Sequence, residues 1–373
     1  MKRVEHLDSC FRLVCRRNVE EIKVLFHDIH VPACVFKCQS LVVLELDRML
    51  SCSLLRDRTI HLPNLKKLRL RLDSFCLRMM GNLLSSCPLL EDLRLVFDLL
   101  KDKHDVKISA PNLKLLDLEM VSAEQHNKII IDTPILENLK IRDSSSFYYF
   151  VNNPTQLVTA YIDFIYGRAC DWLGADDYFR VLAQFVQPLS SVSNLDLKCS
   201  IEIFPYPDPM KDGAMTFFHG LACFRTLLNS NFAWDKLLMS LQCVPNLTDL
   251  EVTMEHNYSR NYFGNWCAPD SATDCFLSKL KKITVRQLEG CDNDLKLLEY
   301  ILKNTIVLEE LHVYVRIGSE HKEDVRKECK FCEALFKLPR SSLTAEVVLF
   351  GGYIKSSTNA LKNGLLKKDQ TQF

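Results

Sequence analysis

Glycine is scarce in this chain: 11 of 373 residues, about 3% against a usual ~7%. Loops that cradle phosphate need glycine where the backbone approaches the ligand or takes positive φ. Neither G-x-G-x-x-G nor G-x-x-x-x-G-K-[ST] occurs, and H-E-x-x-H, G-x-S-x-G and an acidic calcium loop are also missing. No sign of charge dominates either, since 47 Lys+Arg meet 47 Asp+Glu, which removes any global electrostatic reason to expect nucleic acid or an anionic membrane as partner. No apolar run approaches the ~18 residues of a membrane span, and charges interrupt every apolar stretch from Met1 to Arg17, leaving no signal-peptide core. The expectations are a chain with no catalytic residues, no cofactor and no metal, and with neither nucleic acid nor membrane as partner. The 16 cysteines, scattered from Cys10 to Cys332 without a secretory start, read as free and mostly buried thiols in a reducing, intracellular setting, cytoplasmic or nuclear.

Leucine is what the chain has in excess, 59 of 373 residues, and it recurs with a period. The pattern L-x-x-L-x-L, with other apolar residues allowed, starts at Val19, Leu41, Leu65, Leu90, Leu113, Leu136, Leu157, Val192, Leu247, Leu280 and Leu308, with a weaker copy at Leu221. Starts up to Leu157 lie 22, 24, 25, 23, 23 and 21 residues apart, within the roughly 20 to 29 of leucine-rich repeats. Beyond Leu157 the starts, with the weaker copy counted, loosen to 35, 29, 26, 33 and 28, so the second half carries longer insertions. Pro63, Pro88, Pro111, Pro134 and Pro245 each precede a repeat's first Leu by two positions, where a residue without an N–H is tolerated at the start of a strand.

In Leu90-Glu-Asp-Leu-Arg-Leu95 the last four positions alternate polar and apolar, the period of a half-buried strand. The leucines, Leu93 among them, face a shared core, and stretches such as Leu77 to Ser86 and Trp234 to Gln242 have helical apolar spacing suited to an outer layer. The expected fold is α/β: an irregular leucine-rich-repeat solenoid, a curved parallel sheet with outer helices. Residues alternating with the core leucines line its concave face. They are Lys67, Arg69 and Arg71, then Asp92 and Arg94, then Asp117 and Glu119, then Asn138, Lys140 and Arg142. The charged ones form the candidate partner-binding face, mixed in sign.

Several stretches resemble the plant F-box proteins that carry leucine-rich repeats and a C-terminal FBD domain. Arg16-Arg-Asn-Val-Glu-Glu21 and the phrase from Val31 to Leu46 are similar to that family's first repeat and the segment before it, and Ser86-Cys-Pro-Leu-Leu-Glu-Asp-Leu93 to its most typical repeat opening. Ser278 to Ile283, Leu297 to Asn304 and Val307 to Leu311 resemble the FBD core, and Phe336 to Ser342 with Ala345 to Phe350 its closing segment. In the FBD stretch a strand is expected at Leu280 to Val285, a helix from about Asp294 to Asn304 with Leu295, Leu298 and Leu302 on one face, and a strand at Leu308 to Val313. The resulting division is a short segment 1–15 without an F-box, irregular repeats 16–265, an FBD domain 266–350 that continues the solenoid, and a polar Lys-rich tail 351–373.

The resemblance implies a non-catalytic interaction scaffold, the substrate-recognition part of an F-box protein in an SCF-type ubiquitin ligase, with a protein substrate as partner. A Skp-type adaptor and cullin would join only if an F-box lies upstream, because Met1 to Cys15 is too short for one and no adaptor-docking residue carries over. Two alternatives stand beside it. One is a truncated relative that binds partners without recruiting a ligase. The other is a small-molecule or phosphate receptor using Lys67, Arg69, Arg71, Arg94, Lys140 and Arg142.

The repeats lack the Asn or Cys ladder position of leucine-rich repeats, which Met49, Asp73, Asp98 and Val121 occupy. Other clusters have plain readings. His27, His30, Cys34 and Cys38 have zinc-ligand types at a spacing that fits no zinc module. Cys329-Lys-Phe-Cys332 is a lone C-x-x-C read as structural thiols. Asp171, Asp176 and Asp177 read as caps or solvation of an inserted loop, and Phe147 to Phe150 either as a binding strip or as an insertion packed on the solenoid edge.

Overall fold

The computed structural model describes residues 2–24, 31–50, 60–72, 78–97, 106–121, 128–143, 148–152, 154–164, 184–200, 204, 217–228, 233–255, 274–316 and 322–359. The chain divides into two compact units, Met1–Val192 and Ser193–Phe373. The first opens with helix α1 (Lys2–Arg16) and continues through β1 (Glu21–Val24), a 3-10 turn (Val35–Lys37), β2 (Val43–Leu50) and β3 (Lys67–Leu72). Helix α2 (Arg78–Ser85), β4 (Asp92–Phe97), β5 (Val106–Ser109), β6 (Leu115–Met120), β7 (Lys128–Asp132), β8 (Asn138–Asp143), β9 (Tyr148–Val151) and β10 (Thr159–Phe164) follow.

Strands β1-β2-β3-β4-β6-β8-β10 stand side by side, and every neighbouring pair is parallel. A parallel pair needs a crossover of roughly a dozen residues or more, and the repeat period supplies one per strand. Register is fixed by the leucines. Leu68, Leu93, Leu116 and Leu139 are Cα partners across four strands, and Leu70, Leu95, Leu118 and Ile141 form the next row. All eight are at most 1% exposed.

The recurring prolines have a specific task. Five strands are preceded by a β-turn closed on the first Leu of the repeat: Leu65 N–H donates to Leu62 O (3.2 Å), Leu90 to Cys87 (3.2 Å), Leu113 to Ala110 (3.3 Å), Leu136 to Thr133 (3.2 Å) and Leu247 to Val244 (3.4 Å). Pro63, Pro88, Pro111, Pro134 and Pro245 fill the second turn position, where a φ near −65° is already set. The residue after three of these prolines is Asn, and it ties adjacent turns together. Asn64 Nδ2 donates to Gln39 O (2.8 Å), Asn112 to Pro88 O (2.9 Å) and Asn246 to His219 O (2.9 Å). A side-chain ladder therefore exists, in the P-N-L triplet. Of the positions expected to hold one, Val121 lies exposed just past β6, and Asp73 and Asp98 fall outside the described residues.

The outer layer is mixed. Helix α2 forms where Leu77 to Ser86 has helical spacing, but three later returns in this unit place β5, β7 and β9 in a second, parallel, three-stranded sheet. Lys128-Ile-Ile-Ile-Asp132 explains why: a β-branched run favours strand, and Ile129 and Ile131 alternate into the core with Ile130 outside.

The second unit contains β11 (Asn194–Ser200), β12 (Cys223–Leu228), α3 (Ala233–Leu241), β13 (Asp249–Met254), α4 (Asp274–Ser278), β14 (Lys282–Leu288) and α5 (Asp292–Asn304). It ends with β15 (Glu310–Val315), α6 (Lys322–Lys337), β16 (Glu346–Phe350) and β17 (Lys355–Ser357). Strands β11 to β17 pair in sequence order, all parallel except the final antiparallel β16–β17 hairpin. The weaker copy at Leu221 is a full member: Leu221, Phe224 and Leu228 are buried around a buried Thr226. Strands β14 and β15 begin two residues later than the sequence pattern suggested and α5 two earlier. Asp294 Oδ2 accepts the N–H of Gly290 (2.8 Å) and Cys291 (3.1 Å) and so caps α5. Leu297, Leu298, Tyr300, Ile301 and Leu302 are its buried face, with Leu295 only half-buried.

Candidate binding face

On each strand the residues between the core leucines form the opposite face of the sheet, and parallel in-register pairing lines them up in rows. One row runs Glu45, Arg69, Arg94, Asp117, Lys140 and Tyr161 from β2 to β10. The next runs Arg71, Val96, Glu119, Arg142 and Asp163. Lys67 and Asp92 are partners in the row that precedes them. All nine expected face residues are thus brought onto one surface.

They are not a bare cationic patch. Lys67 Nζ lies 3.0 Å from Glu45 and 3.7 Å from Asp92. Arg94 approaches Asp117 at 3.3 Å and Glu119 at 3.9 Å, and Arg142 meets the same two carboxylates at 3.6 and 2.9 Å. Asp117 and Glu119 therefore sit between two guanidinium groups supplied from either side by β4 and β8. Lys140 Nζ stands 5.0 Å over the Tyr161 ring, a cation–π contact, and Tyr161 donates its hydroxyl to Asp163 (3.2 Å). The two carboxylates of Lys67 respond differently. At Glu45, burial works upward but the hydrogen bond and charge of Lys67 outweigh it, and its pKa falls below the usual value. At Asp92 burial wins over Lys67 and the pKa rises.

A second set of face residues, in the other unit, was not singled out from the sequence. Asp196, Arg225, Glu251, Thr284 and His312 form one row from β11 to β15. Glu251 is gripped by Arg225 (3.3 Å) and, more closely, by Arg286. The Arg286 guanidinium lies 4.1 Å over the Tyr314 ring. Tyr314 stacks on Phe350 at 4.4 Å with 7° between the ring planes, and Lys355 Nζ stands 5.0 Å over Phe350. The signal was present: the repeats at Val192, Leu247, Leu280 and Leu308, and the weaker one at Leu221, assign these positions by the alternation that was applied to the first half.

The other sequence candidates resolve as follows. Tyr149 is 2% exposed, donates its hydroxyl to Asp143 (3.0 Å) and packs 5.7 Å from both Phe164 and Phe185, so this member of the aromatic run is core, while Phe147 falls outside the described residues. Phe150 is half-buried under Lys128 Nζ at 4.5 Å. Cys38 is buried and its Sγ lies 3.3 Å from Ser40 Oγ, while His27 and His30 lie outside the described residues. Among the described residues no group of three or more His, Cys, Asp and Glu is arranged to hold a metal ion. Cys329 and Cys332 are free thiols on α6, exposed and half-buried. Asp171, Asp176 and Asp177 fall outside the described residues. No helix among the described residues is long and apolar enough to cross a membrane.

Parallel strands in a leucine-set register, Pro-led turns and a polar sheet face define a leucine-rich-repeat protein. The family described as "FBD-associated F-box protein At5g56370, LRR repeats" matches residues 7–153, and the FBD family matches residues 269–313. The chain is 25% identical over 331 residues to F-box/FBD/LRR-repeat protein At1g78750 of Arabidopsis thaliana, covering 87% of this chain and 69% of the relative. It is 24% identical to FBD-associated F-box protein At4g13985 of the same plant, over 92% of this chain and 74% of the relative. Putative FBD-associated F-box protein At1g55030 is 28% identical, over 78% and 66%. Over most of its length the chain is thus similar to F-box/FBD/LRR-repeat proteins of Arabidopsis thaliana.

Proposed function

We propose that this chain is a non-catalytic recognition scaffold, the part of an SCF-type ubiquitin ligase that selects the protein substrate, and that the polar sheet face makes the selection. The observation that carries this reading is the face on β3, β4, β6 and β8. Its side chains are fixed in rows by strand register and by shared ion pairs, so a partner meets a pre-ordered pattern of alternating charge, which favours specificity over raw affinity. Mixed charge suits a protein surface better than a phosphate group, because Asp117 and Glu119 stand among the arginines that a phosphate would need. In this reading the adaptor, cullin and conjugating enzyme supply the chemistry, and residues 266–350 form the FBD domain beside the repeats of 16–265.

The test is quantitative capture from plant tissue extract on immobilised full chain, compared with an Arg69→Glu/Lys140→Glu variant of matched thermal unfolding. A discrete set of proteins retained by the original face and lost from the variant is the expected result. Purified members of that set should then bind the original chain in calorimetry and fail to bind the variant. Equal capture by both would remove the face from substrate selection. A Skp-type adaptor in the retained fraction tests the ligase link separately.

A further inference from the structure

The ion pairs on the sheet face of the first unit leave two of its cations over. Glu45, the row neighbour of Arg69, is taken by Lys67 at 3.0 Å. Asp117, the row neighbour of Lys140, is shared by Arg94 and Arg142 at 3.3 and 3.6 Å, and Lys140 turns over the Tyr161 ring instead. Among the described residues neither Arg69 nor Lys140 has an ion pair with a carboxylate. Both are half-buried. Arg69 also stands opposite Arg94 across β3 and β4, and like charges one strand spacing apart repel. A cation that gives up part of its hydration without gaining a counter-ion costs free energy, and a carboxylate brought by a partner recovers it through a charge-assisted hydrogen bond. The middle of the row offers no such place, because Asp117 is 7% exposed and already neutralises the arginines beside it.

We infer that the partner of this face is an acidic, extended protein segment that crosses the strands, with one carboxylate on Arg69, a second on Lys140 four residues along, and a neutral side chain midway. The inference rests on the reading that this face selects the substrate, and it names the class of segment selected. Spacing sets the conformation. In the order β3-β4-β6-β8 the two cations are three strand intervals apart, about 14 Å at ~4.8 Å each. An extended chain advances ~3.4 Å per residue and turns every second side chain to the same side. Residues i and i+4 are therefore about 14 Å apart and both face the sheet, with i+2 over Arg94 and Asp117. An α-helix rises ~1.5 Å per residue and needs about nine residues for that distance, which turns the second side chain to the opposite side. A base at i+2 would meet the Arg94 guanidinium and an acid there the Asp117 and Glu119 carboxylates, so a neutral residue fits.

The probe is a phage-displayed library of random dodecapeptides, selected on the immobilised full chain. Retained peptides should carry two Asp or Glu four positions apart with a neutral residue midway, a pattern absent from the unselected library. A synthetic peptide of that sequence should bind the full chain in calorimetry. Arg69→Gln and Lys140→Gln, matched to the original in thermal unfolding, should each weaken it by about fivefold, the upper end for a partly solvated ion pair. A charge swap separates contact from structure: Lys140→Glu should lose the peptide and regain binding when Lys replaces the acid that faces it. A selection without the paired acids, or binding untouched by both Gln variants, would overturn the inference. So would displacement of the peptide by inorganic phosphate at the peptide's own concentration, which would assign the cations to phosphate. The role of the face is judged apart from the class of partner. Extract proteins lost from the Arg69→Glu/Lys140→Glu variant that present no such acidic segment would refute the class and leave the face in substrate selection. Peptide binding with no face-dependent protein in the extract would do the reverse.

Discussion

Leu93 sits between Leu68 and Leu116 in a continuous row and is fully buried. Truncating it empties a site walled by three strands that register holds apart. Leu93→Ala should therefore cost about 2 to 5 kcal/mol, the range for core leucines, read as a lower urea midpoint at unchanged slope. A cost under about 1 kcal/mol would show that the neighbouring rows collapse into the space. The repeat pattern marks this residue plainly. It gives no sign of Glu328, whose carboxylate on α6 accepts the N–H groups of Gly352 (3.1 Å), Tyr353 (3.1 Å) and Ile354 (2.7 Å). Those donors belong to the turn of the β16–β17 hairpin, and Glu328 is 7% exposed. Gly351 leaves room for the carboxylate, since a Cβ there would run into Glu328 Oε1. Replacing Glu328 with Leu strands three backbone donors, each worth about 1 to 3 kcal/mol if left unsatisfied. Glu328→Leu and Gly351→Ala should both loosen residues 352–357, seen as faster amide exchange there while β12 and β13 stay protected. Nothing periodic connects a helical Glu to a distant Gly, so this lock is visible only in three dimensions.

At the scale of elements, the strands were legible because one face of each is buried and alternation of period two records it. The outer layer was less so, because a short return segment is set by what the neighbouring coil offers. Ile129 to Ile131 reads as β-branched, yet no local signal says that β5 and β9 stand ready to pair with it. The Asn ladder was overlooked for a different reason: Pro-Asn-Leu recurs at residues 63–65, 111–113 and 245–247, ahead of the strand and not after it. Within the second unit, Glu251 on β13 binds arginines from the strands on both sides. Burial acts to raise its pKa, but the hydrogen bond and charge of Arg286 and the charge of Arg225 prevail and lower it from the ordinary 4.5. A carboxylate with a depressed folded pKa contributes stability above its unfolded pKa and loses it as the pH falls through the folded value. Asp196 and Asp249, raised chiefly by burial, act in the opposite sense. The clean measurement is therefore a difference: Glu251→Gln should destabilise the protein near neutral pH and cost progressively less below about pH 4.5, in urea titrations of both proteins. A penalty independent of pH would mean that Glu251 contributes packing and not charge.

Over the whole molecule two kinds of contact compete to explain why the chain folds: leucine rows on one side of the sheet and ion pairs on the other. Magnitudes decide between them. The face pairs are partly solvated, with Arg94, Arg142 and Glu119 side chains 27 to 29% exposed, and such pairs contribute about 0 to 1 kcal/mol each. Each core leucine contributes several times that. Salt separates the two terms, because at about 1 M the Debye length shrinks to about 3 Å while apolar burial is untouched by screening. Raising NaCl from about 0.05 M to about 1 M should consequently shift the stability by less than about 2 kcal/mol, less than a single Leu93→Ala change. Under the same change of salt the cost of Leu93→Ala should hold, and that of Arg142→Gln should shrink. A collapse of stability at high salt would instead assign the fold to its charges. The expected outcome also bears on the recognition face: if leucines hold the sheet, the residues at 69, 94, 117, 119, 140 and 142 are free to differ between relatives as partners change, with the fold left intact.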